Sequence, residues 1–351
     1  MQADYSVVLV LSGGNALGAF QGGAYEALED RGVNVDWVVG ASIGAINGAI
    51  ICGGAPGARL ARLREFWRAP DGIGDHTSSS GPLETARRTL SVQTTFGMGQ
   101  PHIFSPRRLF GPWWEPFGNG EPSSLYDNTP LVGTLAGLVD FERLNAGSPR
   151  LSVTAVDIES GEDVVFDTRV GALEPDHVRA SSALLPLFPP VQLGGRLYAD
   201  AGLSANLPVD VVLEDPPQGA TLCLAIDLAP LHGRPPETLG NAAERMQDLV
   251  FASQSKRAIS HWQRYYDLRG ELRSGASDEN EQRAITLVHM AYANQQPEVC
   301  GKMFDYSPAS AAHRWEEGYR TMTDVLDRVQ TGELPIGKPG LTVHSAFGPE
   351  R

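Results

Sequence analysis

The chain has 351 residues, 42% of them apolar, which is ample for a large buried core. Its formal charge is −14, from 42 acidic against 28 basic residues, and such a surface repels phosphate backbones and so argues against a nucleic-acid partner. No apolar run is long enough to cross a bilayer. Met1 to Tyr5 lacks a basic leader region, and the apolar run that follows reads as a strand, so a cytoplasmic location is expected. Cys52, Cys223 and Cys300 lie far apart and are odd in number. They fit neither a disulfide framework nor a zinc site, and are expected to be reduced, buried thiols.

In chain order, YSVVLVL (5–11) predicts a buried strand, continuous and β-branched. The turn SGGNALG follows, then a helix over AFQGGAYEALEDRG that stops near Gly32. NVDWVV (34–39) predicts a second strand, running into a small-residue helix, GASIGAINGAIICGG. Strand, turn and helix repeated in this way predict a parallel sheet with crossover helices. Residues 69–129 are rich in Gly, Pro and Ser, with clustered aromatics in FSPRRLFGPWWEPFGNG and a short helix expected near Leu83 to Leu90. Such an irregular insertion suits a lid or a binding loop, or equally a packed surface excursion.

The core pattern resumes at LSVTAVDIESGEDVVFDT, a hairpin around Ser160-Gly161, and QLGGRLYAD gives a second around Gly194-Gly195 that leads to Asp200. Between them, HVRASSALLPLFPPV predicts a short helix broken by Pro186 and Pro189. ATLCLAIDL (220–228) and AITLVHMAY (284–292) predict buried strands, while Leu239 to Arg273 and Pro308 to Gln330 predict helices. Nothing resembles a linker between two cores. One domain over residues 5–330 is expected, with an insertion at 69–129 and a tail at 331–351.

Three stretches carry chemistry. Gly40-Ala41-Ser42-Ile43-Gly44 follows a predicted strand, and a serine nucleophile needs such a tight strand-to-helix turn, with small flanking residues, to expose its oxygen. The turn Gly13-Gly14-Asn15-Ala16-Leu17-Gly18 stands between a strand and a helix, where free N–H groups cradle negative charge. It lacks a Walker lysine and the dinucleotide spacing, so an ester oxyanion suits it better than a nucleotide phosphate. Asp200-Ala201-Gly202 puts an acid at a strand end, which alone is also what a capping aspartate looks like.

In this order, VLVLSGGNALGAFQGG, WVVGASIGAING and LYADAGLSANLPV resemble the patatin-like phospholipase family over about residues 5–230. DYSPASAAHRWEEGYRTM and FSPRRLFGPWW are similar to a bacterial branch of it. The resemblance implies an α/β three-layer sandwich, with a mainly parallel central sheet flanked by helices. It also implies a lipid or acyl-ester substrate, no cofactor or metal, and a dyad of Ser42 and Asp200 without a histidine. Gly13, Gly14 and Asn15 would form the oxyanion hole. Phe110, Trp113 and Trp114 would line the acyl entrance or fill a satellite core, and leave room for transient membrane contact. Three departures bear on activity: Asn15 replaces a glycine, Leu17 a basic residue, and Ala201 the glycine after the aspartate. They keep a lipid-binding pseudoenzyme open beside the hydrolase. A histidine partner for Ser42 would instead mean an ordinary α/β-hydrolase or an acyl-carrier transacylase.

Overall fold

The computed structural model describes residues 5–68, 81–107, 124–273, 283–295 and 298–346. The strands are β1 (Tyr5–Leu11), β2 (Trp37–Ala41), β3 (Ser105–Pro106), β4 (Tyr126–Asp127), β5 (Arg150–Asp157), β6 (Asp163–Asp167), β7 (Val191–Leu193), β8 (Arg196–Asp200), β9 (Ala220–Asp227), β10 (Ala284–Ala291) and β11 (Gly340–Ala346). The helices are α1 (Ala19–Asp30), α2 (Ile43–Gly53), α3 (Arg59–Trp67), α4 (Pro82–Met98), α5 (Pro130–Leu138), α6 (Phe141–Asn145), α7 (Pro175–Ser181), α8 (Val209–Glu214), α9 (Leu239–Arg273) and α10 (Pro308–Gln330).

The central sheet runs β11-β10-β9-β1-β2-β5, with β6 on the far edge of β5 and β8, itself paired to β7, on the same edge of β5 as β2. From β11 to β5 every neighbouring pair is parallel, while β6, β7 and β8 are antiparallel to their partners. Strand β1 is apolar on both faces because helices cover both. Leu9 and Leu11 enter one core with Phe20, Ile46 and Trp315, whereas Val8 and Val10 enter a second with Val212, Ile259 and Tyr266. The result is the expected three-layer α/β sandwich.

Strand order places the functional crevice. From β1 the chain moves to β2 on one side, and from β9 to β10 on the other. The sheet's direction of growth therefore reverses between β1 and β9, which is where open α/β sheets bind ligands, at the carboxyl ends of their strands.

Helices α1 and α10 cross at glycines. A Cβ on Gly318 would sit 1.9 Å from the Phe20 carbonyl oxygen, and one on Gly23 would sit 1.8 Å from that of Trp315. Backbone cannot swing aside as a side chain can, so Gly318→Ala is expected to force the helices apart and cost about 3 kcal/mol. A fall in the urea midpoint at unchanged m-value checks this, and an unchanged midpoint would contradict it.

Four expectations are corrected. Residues 331–351 are not simply a tail, because β11 pairs in parallel with β10 over seven residues. The segment 69–129 is not irregular throughout. Helix α4 runs to Met98, beyond the expected Leu90, and Phe104 is fully buried in the main core. The second strand begins at Trp37 rather than residue 34. Cys300 is exposed, while Cys52 and Cys223 are buried. Among the described residues no helix is long and apolar enough to cross a membrane.

Candidate active site

Ser42 caps α2 immediately after β2, with φ 55° and ψ −121°. A positive φ at a residue with a side chain is strained, and such strain concentrates where a fold holds a reactive group in one orientation. Here the restraint is visible. The Ser42 N–H donates to Ser181 Oγ at 2.9 Å, and its carbonyl accepts from Ala45 and Ile46 in the first turn of α2.

Sheet register brings the acid to it. Thr154 pairs with Ala41 of β2, while Ala155 pairs with Asp200 of β8. Both Thr154 and Ala155 also pair with β6, which occupies the other edge of β5. Strands β2 and β8 therefore share one edge of β5 and meet end to end, Ser42 following one and Asp200 ending the other. Ser42 and Asp200 line the same cleft, with the serine hydroxyl close enough to pull the Asp200 carboxyl's proton affinity down. Gly202 N–H donates to Asp200 Oδ1 at 2.7 Å, and the side chain is only 3% exposed. Burial pushes the Asp200 carboxyl up to about 6, against the opposing pull of the Ser42 hydroxyl and the Gly202 N–H.

The Gly-rich turn closes the third side. A Cβ on Gly13 would lie 3.1 Å from Ser42 Cβ and 2.5 Å from Asn206 Oδ1, so only glycine lets the turn approach the serine this closely. The Gly13 N–H, however, donates to the Asn206 carbonyl at 3.1 Å. That corrects its expected role as an oxyanion donor. The N–H groups of Gly14 and Asn15 meet no acceptor among the described residues. Asn15 adopts φ 51°, which asparagine tolerates better than most residues, and its Oδ1 accepts from the Tyr306 hydroxyl.

A family profile described as patatin-like phospholipase matches residues 9–213, well over half the chain, and a second, described as patatin phospholipase, matches residues 267–335. The chain belongs to the patatin-like phospholipase family. It is 30% identical over 223 residues to an uncharacterized NTE family protein of Mycobacterium tuberculosis, covering 63% of this chain and 30% of that protein. It is 26% identical over 250 residues to the lysophospholipase NTE1 of Debaryomyces hansenii, covering 68% of this chain and 13% of that protein. The chain thus spans less than a third of the length of these relatives. Among solved structures, VipD from Legionella pneumophila aligns with TM-score 0.44 at 17% identity, over 93% of this chain and 67% of that one. ExoU of Pseudomonas aeruginosa aligns with TM-score 0.33 at 18% identity, over 73% and 53%.

The departures from the patatin-like pattern are absorbed locally. Leu17 is buried at 2% exposure, and Ala201 has no positive φ that would call for glycine. The carbonyl of Ala16, between Asn15 and Leu17, accepts from Arg314 Nη1 at 3.0 Å. Arg314 is fully buried, paired with Glu298 at 2.7 Å, and so anchors the turn to α10. Sequence reasoning missed Ser181, Asn206, Tyr306 and Arg314. All four lie in quoted stretches, ASSALLPL, LSANLPV and DYSPASAAHRW, but nothing local marks their hydrogen bonds, which span 139 residues from Ser42 to Ser181 and 193 from Gly13 to Asn206.

Ser42, Asp200, Gly14 and Asn15 face one cleft, walled by Ile46, Ile103, Leu131, Leu187, Phe188 and Phe304. Its enclosed room is only about 40 Å³, so an acyl chain must part side chains to enter. Met303, in the same lining, is of the type that yields most readily. None of the described histidines lines the cleft. His177 accepts from the Glu174 N–H at the start of α7, and His289 lies 3.5 Å from Asp227. Phe110, Trp113, Trp114 and His76 lie outside the described residues.

Proposed function

We propose that the chain hydrolyses carboxylic esters of lipids through a dyad of Ser42 and Asp200. The observation that carries this is Ser42 set beside a buried carboxylate in one cleft, at a strained elbow next to unengaged backbone N–H groups. Asp200 accepts the Ser42 proton as Oγ adds to the ester carbonyl. Gly14 and Asn15 N–H groups, at the start of the helical turn leading to α1, stabilise the oxyanion. Collapse breaks the ester C–O bond, and the leaving alcohol takes the proton from Asp200. Water then attacks the acyl-enzyme, giving its proton to Asp200, and Ser42 recovers one as the acid leaves.

A carboxylate is ordinarily too weak a base for serine. Burial that raises its proton affinity toward neutrality supports Asp200 in this role without a histidine. The lipid class is supported by the apolar cleft and by the name of the lysophospholipase relative. The test is a panel of fatty-acyl and lysophospholipid esters with product analysis. Free fatty acid released in step with alcohol supports hydrolysis. Acyl groups appearing only on an added thiol or alcohol acceptor would favour a transacylase.

The pH dependence follows from the same carboxylate. Because the base acts ionised, kcat/KM is expected to be flat above about pH 6 and to fall about tenfold per pH unit below it. An inflection near pH 4, where an ordinary aspartate titrates, would contradict the burial argument.

A further inference from the structure

Apart from the dyad and the Gly-rich turn, Asn128, Ser182, Asn206 and Gln247 are the polar side chains in the cleft lining, and Asn128 is the one of them that is buried with unpartnered polar atoms. It lines the cleft beside Leu131, is 2% exposed, and has no hydrogen-bond partner for either Oδ1 or Nδ2 among the described residues. Since both atoms are unpartnered, exchanging oxygen and nitrogen in the amide changes nothing. The local turn does not need the side chain. Asp127 Oδ1 accepts from the Thr129 N–H and hydroxyl at 3.0 and 2.6 Å, and the Asn128 carbonyl accepts from Leu131 N–H at 3.2 Å. A buried carboxamide left in this condition is costly and rare in native interiors. Of the other buried side-chain atoms without partners, those of Thr221, His313 and His344, none lies in this lining.

A carboxamide both donates and accepts. Its complement within an apolar chain is a group that does the same, a hydroxyl above all. The reacting carbonyl already has Ser42 and the Gly14–Asn15 turn, so Asn128 is left for a second polar group of the substrate. A charged group fits poorly, since the cleft is apolar and holds the Asp200 carboxylate. Resting on the hydrolase reading of Ser42, we infer that Asn128 is a specificity-determining contact for esters whose apolar portion carries a hydroxyl, hydroxyacyl esters being the simplest class.

The experiment compares methyl esters of plain and hydroxylated fatty acids of equal length, with the hydroxyl moved along the chain. At one position the hydroxylated ester should be favoured at least about tenfold in kcat/KM, because a site built to bond a hydroxyl rejects the analogue lacking it. Asn128→Leu should erase that ratio. Equal or better cleavage of the plain ester at every position, as when ordered water already satisfies the amide, overturns the proposal, as does a ratio that survives in Asn128→Leu. Binding of the same intact esters to Ser42→Ala, by calorimetry, should show the same tenfold preference without turnover. Absence of hydrolysis would therefore count against Ser42 as nucleophile, whereas equal binding of both esters would count against Asn128.

Discussion

Asp200→Asn is expected to lower kcat by three orders of magnitude or more while leaving the chain folded and, at neutral pH, more stable. The amide keeps the shape of the carboxylate and an oxygen to accept from Gly202 N–H, but it has no basic lone pair for the Ser42 proton. The stability effect has the opposite sign because ionised Asp200 is held where burial disfavours its charge. Its carboxyl titrates near 6 in the folded chain against 3.8 for an unperturbed aspartate. The native state therefore binds the proton more tightly than the unfolded chain, and stability falls as pH rises through that window. About two pKa units correspond to about 3 kcal/mol, an upper figure for what Asn relieves above pH 6. The variant should melt higher than the parent at pH 8, with the difference vanishing below pH 4. A variant that is both less stable at pH 8 and still active would remove Asp200 from the mechanism.

Ser42→Ala is expected to have the larger kinetic effect, a loss of about 10⁵–10⁶ in kcat, since no acyl-enzyme can form. Its effect on stability should be small. Alanine retains a Cβ at the same positive φ, so the strain of the elbow remains, and the Ser181 hydroxyl still accepts from the backbone N–H at residue 42. Residual turnover within tenfold of the parent would mean that another group attacks the ester.

Much of this arrangement could be read before any coordinates. The β1–turn–α1 and β2–elbow–α2 units were legible because every feature that defines them is local: a continuous apolar run, a glycine-rich turn, then small residues. The long α9 and α10 were legible from sustained helical character, with Pro308 opening the latter. Strand β11 was not. GLTVHSA is short and mixes polar with apolar residues, as an edge strand paired only to β10 can. The error over Gly13 has the same origin. Which N–H of a turn remains free depends on where Asn206 falls, and sequence within the turn carries no information about that. Asn128 was unreadable for the converse reason, since its significance is the absence of partners in a wall built from α2, α5 and the segments around Ile103 and Phe304.

The central claim, that Ser42 is a nucleophile activated by Asp200, is tested most directly by intact-mass analysis after brief exposure to a fluorophosphonate. A single adduct is expected on the parent chain, mapped by peptide sequencing to Ser42. None should form on Ser42→Ala, and formation on Asp200→Asn should be slowed by at least about a hundredfold. An adduct at another residue, or equal labelling rates for the parent and Asp200→Asn, would contradict the account.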